Sequence, residues 1–299
     1  MGSKYGHDPV SGARWEIHEP AEGIPLVEVW ADDYIPFEPP RTSWKWELRD
    51  EIRSRCQALE PSAGQVLHAT FFGAMPPRSD VENLVLYNIG SLAVGGRNGI
   101  RFELGAVPPP APSGETYSYC YRYALVPRCR TLASFDCGWI DLGPFGEEIK
   151  LAKVLLALAR GFDDEKVKVF KPVIEPEIAF AVNLEIRTPR GKKYVLGNLV
   201  KPIFDGVICA FQAQTDTTDL TEIVDRLAEQ LRTDPEKIRQ YLVDQRRAVL
   251  GVVPRLVVLR GVGVQFNPSD HLCVAGELLA AESIDNRWAI KGRVIELSR

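Results

Sequence analysis

The 299-residue chain lacks the marks of several protein classes. No two of its six cysteines form a CxxC pair, and its four histidines fall outside zinc-ligand spacing. The common zinc ribbons and fingers are therefore excluded. Cys56, Cys120, Cys129, Cys137, Cys209 and Cys273 are expected to be free thiols in a reducing cytoplasm. Long apolar runs are also missing: the longest, Val154 to Ala159, is far too short to span a bilayer. The first residues, Met1 to Asp8, have no apolar stretch of the kind a secretory signal needs. Nor is there a basic excess, because 36 Lys and Arg face 40 Asp and Glu. That balance argues against a general nucleic-acid binder while leaving room for a local basic patch. What remains is ordinary globular composition, long enough to bury a core without metals or disulfides. A soluble cytoplasmic protein is expected, with no membrane partner.

Hydropathy patterning gives the next level. Residues 1–24 are polar and read as an irregular N-terminal arm. Ile24 to Trp30 reads as a strand, and Trp44, Leu48, Ile52 and Cys56 are spaced as one helical stripe. Gln65 to Phe72 alternates as a strand, with Val66, His68, Thr70 and Phe72 on one face. A loop at 75–84 feeds a second apolar segment. Glycines 95, 96 and 99 and prolines 108, 109, 110 and 112 then read as turn and loop. Tyr117 to Val126 reads as a strand carrying four tyrosines on one face.

From about residue 135 this order starts again. Trp139 to Gly146 reads as strand and turn, 147–160 as a helix, 177–187 as an alternating strand, and 196–211 as a helix. Two helices are inserted at about 217–249. Asp219 with Glu222 is spaced as a capping box for the first, and Asp234-Pro235 as N-cap and N1 of the second. Strands at 255–264 and 272–280 follow. The expected fold is α/β or α+β, with two similar halves at 25–134 and 135–299. Each half would be a small mixed sheet with packed helices.

Two joints carry the chemistry. Asp80-Val81-Glu82-Asn83-Leu84 and Leu196-Gly197-Asn198-Leu199-Val200-Lys201-Pro202-Ile203-Phe204-Asp205 together resemble the RusA-type Holliday junction resolvases. In that family an Asp-x-Asp-Asn-Leu-x-Lys segment follows a strand and a basic loop, opening a helix that continues Phe-Asp-Ala-Leu. Asp80, Glu82, Asn83 and Leu84 match the first part of the motif. Asn198, Leu199, Lys201, Phe204 and Asp205 match the second, and Asp216 falls near the position of the family's third aspartate. The resemblance implies two halves forming a pseudo-dimer, Mg²⁺ held by carboxylates, branched or single-stranded DNA as partner, and a role in DNA repair, mobile elements or phage defence. Each half departs from the pattern. Val195 and Gly197 stand where the second half needs aspartates, and Leu86, Tyr87 and Asn88 replace Lys, Phe and Asp in the first. Arg101 occupies the third position there, with Glu103 the nearest carboxylate.

Asp80 and Glu82 are thus the candidate catalytic and metal-ligating residues of a Mg²⁺-dependent endodeoxyribonuclease. The alternative is that Asp80 caps the following helix and Glu82 complements its dipole. Arg187, Arg190, Lys192, Lys193 and Lys201 are candidate contacts to a phosphate backbone, or else form a solvated turn. Incomplete motifs in both halves favour a catalytically degenerate nucleic-acid-binding protein. The alternatives are a first half that cuts branched DNA with Mg²⁺, or a subunit of a larger protein assembly.

Overall fold

The computed structural model describes residues 4–18, 24–41, 43–77, 79–90, 96–128, 139–143, 149–169, 179–191 and 194–297. The protein is a mixed α/β molecule. Its first elements are β1 (Lys4–His7), β2 (Arg14–His18), β3 (Leu26–Ala31), α1 (Trp44–Cys56), β4 (Gln65–Phe72), α2 (Val81–Ile89), β5 (Gly99–Gly105) and β6 (Tyr119–Pro127). Next come β7 (Ile140–Gly143), α3 (Leu151–Asp163), β8 (Phe180–Arg187), α4 (Gly197–Ala210) and β9 (Ala213–Gln214). The chain continues through α5 (Leu220–Leu231), α6 (Pro235–Val243), β10 (Val252–Val253), β11 (Val257–Arg260) and β12 (Gly263–Phe266), and ends with β13 (Cys273–Ala281) and β14 (Trp288–Glu296). Two compact units result. Unit 1 takes Met1–Leu132, Lys193–Asn198 and Cys273–Ala280; unit 2 takes Ala133–Lys192, Leu199–Leu272 and Ala281–Arg299.

In unit 1 the strands lie in the order β1-β2-β3-β6-β4-β5-β13. β4 and β5 run parallel, and every other neighbouring pair is antiparallel. A parallel pair needs a crossover, and α2 supplies it. The α1 stripe Leu48, Ile52 and Cys56 is fully buried, as are Leu67, Ala69 and Phe71 of β4 and Val27 and Val29 of β3. Burying each of the leucine, isoleucine, valine and phenylalanine side chains among them contributes about 1.5–3 kcal/mol. Tyr121 and Tyr123 of the expected tyrosine stripe belong to this core, whereas Tyr117, which precedes β6, packs on the other face. Tyr123 donates its hydroxyl to the Val85 carbonyl of α2 at 3.0 Å, and the Tyr121 hydroxyl accepts from the Ile35 amide at 2.8 Å. On the opposite sheet face Trp30, Cys120, Tyr117 and Ala111 cluster, and the Trp30 indole donates to the Pro109 carbonyl at 2.9 Å.

Three local expectations are corrected here. The polar residues before position 24 are not an irregular arm throughout: residues 4–7 and 14–18 pair as β1 and β2, because Trp15 and Ile17 alternate with polar neighbours and bury one face. Glycine-rich sequence hid β5, which begins at Gly99. A Cβ there would fall 2.8 Å from Leu279 and 3.0 Å from the Leu278 carbonyl, so glycine admits the close approach of β13. Gly95, in the same expected turn, lies outside the described residues. The chain past 280, left without an element by periodicity, forms β14.

In unit 2, β8, β14 and β7 lie side by side and antiparallel, with one bulge in β14 at Trp288/Ala289. Phe180, Val182, Leu184 and Ile186 form the alternating buried face of β8. Helices α3 and α4 touch at Gly206, where a Cβ would lie 2.6 Å from that of Val154. The inserted segment forms α5 and α6. Asp234 caps α6 by accepting from the Glu236 amide at 3.1 Å, with Pro235 at the first helical position. The Asp219–Glu222 capping box does not form. Asp219 takes φ 60° and makes no side-chain cap, while Glu222 pairs with Arg226 one turn on. Arg247, 2% exposed, donates to the last-turn carbonyls Ala210 of α4 and Tyr241 of α6. Those carbonyls have no partner within their own helices, and the guanidinium supplies one.

Candidate functional site

The first joint lies between β4 and α2. Asp80 has extended backbone (φ −110°, ψ 153°) and occupies the N-cap of α2. Its carboxylate accepts from the Asn83 amide at 2.7 Å and from the Asn83 side-chain amide at 2.5 Å. Glu82 sits in the first helical turn, where a negative charge meets the positive end of the helix dipole. Both carboxylates are buried, at 8% exposure. The capping geometry accounts for Asp80 without an ion. Mg²⁺ prefers a near-octahedral shell of oxygen donors. Among the described residues no three His, Cys, Asp or Glu side chains converge to begin such a shell. Asp80 and Glu82 are the two carboxylates this joint offers, and Asp80 already serves as the cap of α2.

The second joint opens α4. Val195 and Gly197 bring no carboxylate to the aspartate positions. Lys201 points instead toward two carboxylates of its own unit, 3.2 Å from Asp205 Oδ1 and 2.7 Å from Asp270 Oδ2. A lysine held between two carboxylates is already charge-compensated, so its field toward a phosphate is weakened. Burial, and after it the neighbouring Asp205 and Asp270, pushes the Cys209 thiol well above its ordinary range. Asp216 lies in the turn before α5. It is held well below the usual carboxylate range by hydrogen bonds from Thr218 and then from Arg255, whose Nε is 2.6 Å away.

The basic turn after β8 is partly in view. Arg190 is exposed, with its amide donating to the Asp285 carbonyl at 2.8 Å. The Arg187 guanidinium stacks 3.6 Å from the Trp139 ring centre, and Lys291 lies 5.0 Å from the same ring. Lys192 and Lys193 lie outside the described residues.

Sequence reasoning missed a second cationic–aromatic surface, on α1 of unit 1. The half-buried Trp46 ring has the guanidinium carbons of Arg41, Arg49 and Arg53 at 5.9, 6.0 and 5.8 Å. Lys45 lies 5.2 Å from the Tyr34 ring and 5.6 Å from the Trp44 ring, and its ammonium is paired with the Asp33 carboxylate. The exposed Phe37 packs edge-on against Tyr87 at 4.0 Å. Arg49 is the anchor: although buried, it donates to the Phe37 and Pro36 carbonyls and to Asn88 Oδ1. These bonds fix the aromatic loop against both helices. The signal was present as Arg41, Lys45, Arg49 and Arg53 recurring every four residues around Trp44 and Trp46. Comparison with family models, curated proteins and solved structures finds no match for this chain.

Proposed function

We propose that the protein binds nucleic acid, in particular single-stranded or branched DNA, through cationic–aromatic surfaces, and does not cut it efficiently. The observation that carries this reading is the half-buried Trp46 ring with the exposed Arg41 guanidinium 5.9 Å away and Arg53, which also pairs with Asp50, at 5.8 Å, while the buried Arg49 anchors the loop beneath. Aromatic faces stack on bases irrespective of sequence, and guanidinium groups meet the backbone phosphates between them. Arg187, 3.6 Å from the Trp139 ring centre, offers unit 2 the same chemistry, while Lys291 beside that ring is paired with Glu185. The engagement of Asp80 as the cap of α2 favours binding over hydrolysis.

The RusA resemblance enters here as part of the proposal: two degenerate halves in one chain, standing in for a homodimer. Element order supports it. β3-α1-β4-α2 in unit 1 and β7-α3-β8-α4 later in the chain run alike. The sheet neighbours β3-β6-β4 and β7-β14-β8 also share their antiparallel sense.

The test is fluorescence anisotropy with labelled single strands and four-way junctions, across a salt series. Trp46→Ala combined with Arg41→Glu should weaken binding by about 1–3 kcal/mol for one lost stacked base, and flatten the salt dependence. Unchanged affinity, or no binding by the unaltered protein, would overturn the reading. Robust Mg²⁺-dependent junction cleavage that Asp80→Asn abolishes would overturn its non-cutting part.

A further inference from the structure

The sheet β8-β14-β7 of unit 2 has two unlike faces, and strand register assigns each residue to one of them. Val182, Leu184 and Ile186 of β8, Ile290 of β14 and Ile140 of β7 share the buried face. Helix α3 packs there, so close at Gly161 that a Cβ would fall 2.9 Å from Ile140 Cδ1. The other face is polar. Arg187, Ala289 and Asp141 lie in one row across it, and Glu185 and Lys291 in the next, where Lys291 faces Trp139. Water reaches this face, since the side chains of Glu185, Lys291, Asp141 and Arg287 are 34–55% exposed.

Two of its cations are paired on the face itself: Lys291 Nζ lies 3.3 Å from Glu185 Oε2, and Arg287 Nη2 lies 2.6 Å from Asp141 Oδ2. Arg187 is held differently. It crosses β14 at Ala289, whose small side chain leaves room, and its guanidinium carbon comes to 3.6 Å from the Trp139 ring centre. Among the described residues no carboxylate pairs with it. Arg187 is therefore a flat cation laid on a ring, with its charge left over on a solvated sheet face.

From this arrangement we infer that the polar face of β8-β14-β7 is a platform for single-stranded DNA, with Arg187 as its stacking plate. The inference rests on the DNA-binding reading above and adds which form of DNA this unit takes. A guanidinium plane stacks on an unpaired base as an aromatic ring does. Trp139 already holds that plane in place, so little side-chain freedom is lost on binding. Arg190, exposed in the turn three residues on, lies within about 10 Å along the chain and supplies charge for the adjoining phosphate. Three strands abreast span about 10 Å, room for two or three bases. A duplex shows its base edges only inside grooves, and the major groove admits a helix or a two-stranded ribbon, which this face exceeds in breadth. An acidic peptide would meet the charge but bring no flat group to the plate.

The experiment is fluorescence anisotropy of the full chain with a labelled oligothymidylate, an abasic strand of the same length, a duplex of that length, and polyglutamate as competitor. Oligothymidylate is expected to bind about tenfold or more tighter than the abasic strand or the duplex. Arg187→Lys keeps the charge and removes the plane. It should weaken oligothymidylate binding about five- to 150-fold, the loss of one stacked base, while leaving the salt slope and abasic-strand binding unchanged. Trp139→Leu should act in the same direction; should its melting temperature fall, Arg187→Lys, a conservative change on the exposed face, carries the test alone. Strands bearing 5-iodouracil should crosslink to peptides that contain Trp139 or Arg187. Equal binding of the abasic strand or the duplex, displacement by polyglutamate as readily as by oligothymidylate, or indifference to Arg187→Lys overturns the inference. Binding that Trp46→Ala with Arg41→Glu abolishes and Arg187→Lys leaves intact overturns it alone. Binding that only Arg187→Lys weakens overturns the α1 reading and supports this one.

Discussion

Replacing Asp80 separates a helix cap from a metal ligand. In the structure its carboxylate satisfies the Asn83 amide, one of four N–H groups that α2 cannot satisfy internally, and also holds the Asn83 side chain. Loss of an N-cap costs about 1 kcal/mol, and loss of a charge at the helix N-terminus about 0.3–1 kcal/mol. The second hydrogen bond adds about 0.5–1.5 kcal/mol. Asp80→Ala should therefore destabilise by about 2 kcal/mol, lowering the melting temperature by about 4–8 °C for a unit of this size. Asp80→Asn keeps a capping oxygen and loses the charge, so it should cost less than half as much. Circular dichroism melts of both variants, with and without millimolar Mg²⁺, give the readout. Hydrogen exchange over residues 81–89 should accelerate in the alanine variant. An alanine variant that melts with the unaltered protein would refute the capping account. So would a Mg²⁺-dependent rise in melting temperature that Asp80→Asn abolishes, because only a bound ion stabilises by mass action.

Three further outcomes follow from packing and charge. Gly206→Ala gains about 1 kcal/mol of helix propensity but drives a methyl to 2.6 Å from Val154 Cβ and 2.9 Å from the Leu151 carbonyl. Overpacking wins, and a net loss of about 1–2 kcal/mol should appear as a lower melting temperature; an unchanged or raised value would show that α3 can shift. Cys56, Cys120 and Cys209 are buried with thiols pushed far above their ordinary range by desolvation, so brief iodoacetamide treatment followed by mass spectrometry should leave them unmodified until the protein is unfolded. Glu103 is held below its ordinary value of 4.5 by the hydrogen bond from His68. A depressed carboxylate stabilises the fold above that value and loses its contribution as pH falls below it. Glu103→Gln should thus melt slightly lower than the unaltered protein at about pH 6, and the difference should shrink as the pH is taken progressively below 4.5. The half-exposed site limits the effect to about 0.5 kcal/mol, and a difference that stays equal across that range would count against the linkage.

Elements with one clear period were legible in the sequence. Leu48, Ile52 and Cys56 announce α1, and the β8 alternation announces a strand with one buried face. Asp234-Pro235 marks the start of α6 because cap and first-turn proline are local devices. Segments whose reason is tertiary were not legible. β5 starts on a glycine that is there for the sake of β13, and β14 mixes Lys291, Gly292 and Arg293 among its apolar residues. The same holds for the sites. Asp80 at a strand-to-helix joint could be read as cap or ligand, and the bonds to Asn83 that make it a cap depend on local geometry that the residue order does not give. Lys201 looked available for phosphate because Asp270, one of the two carboxylates that flank it, is far away in sequence. The Trp46 surface escaped notice because tryptophans beside arginines in a helix read equally well as core and polar face. The loop that Arg49 pins is what turns them into one surface.

The pairing of β5 with β13 sets an order on biosynthesis. Arg101 and Glu277, opposite one another in that ladder, are 176 residues apart. At about 5–20 residues per second, roughly 10–35 s pass between the ribosome's making one strand and the other. Through that interval the nascent sheet of unit 1 presents β5 as an open edge, with Ile100 and Phe102 in the strand and its N–H and C=O groups unpaired along the border. A message truncated before codon 273 would yield a product whose first unit folds without its border strand, and such a product should accumulate as aggregate.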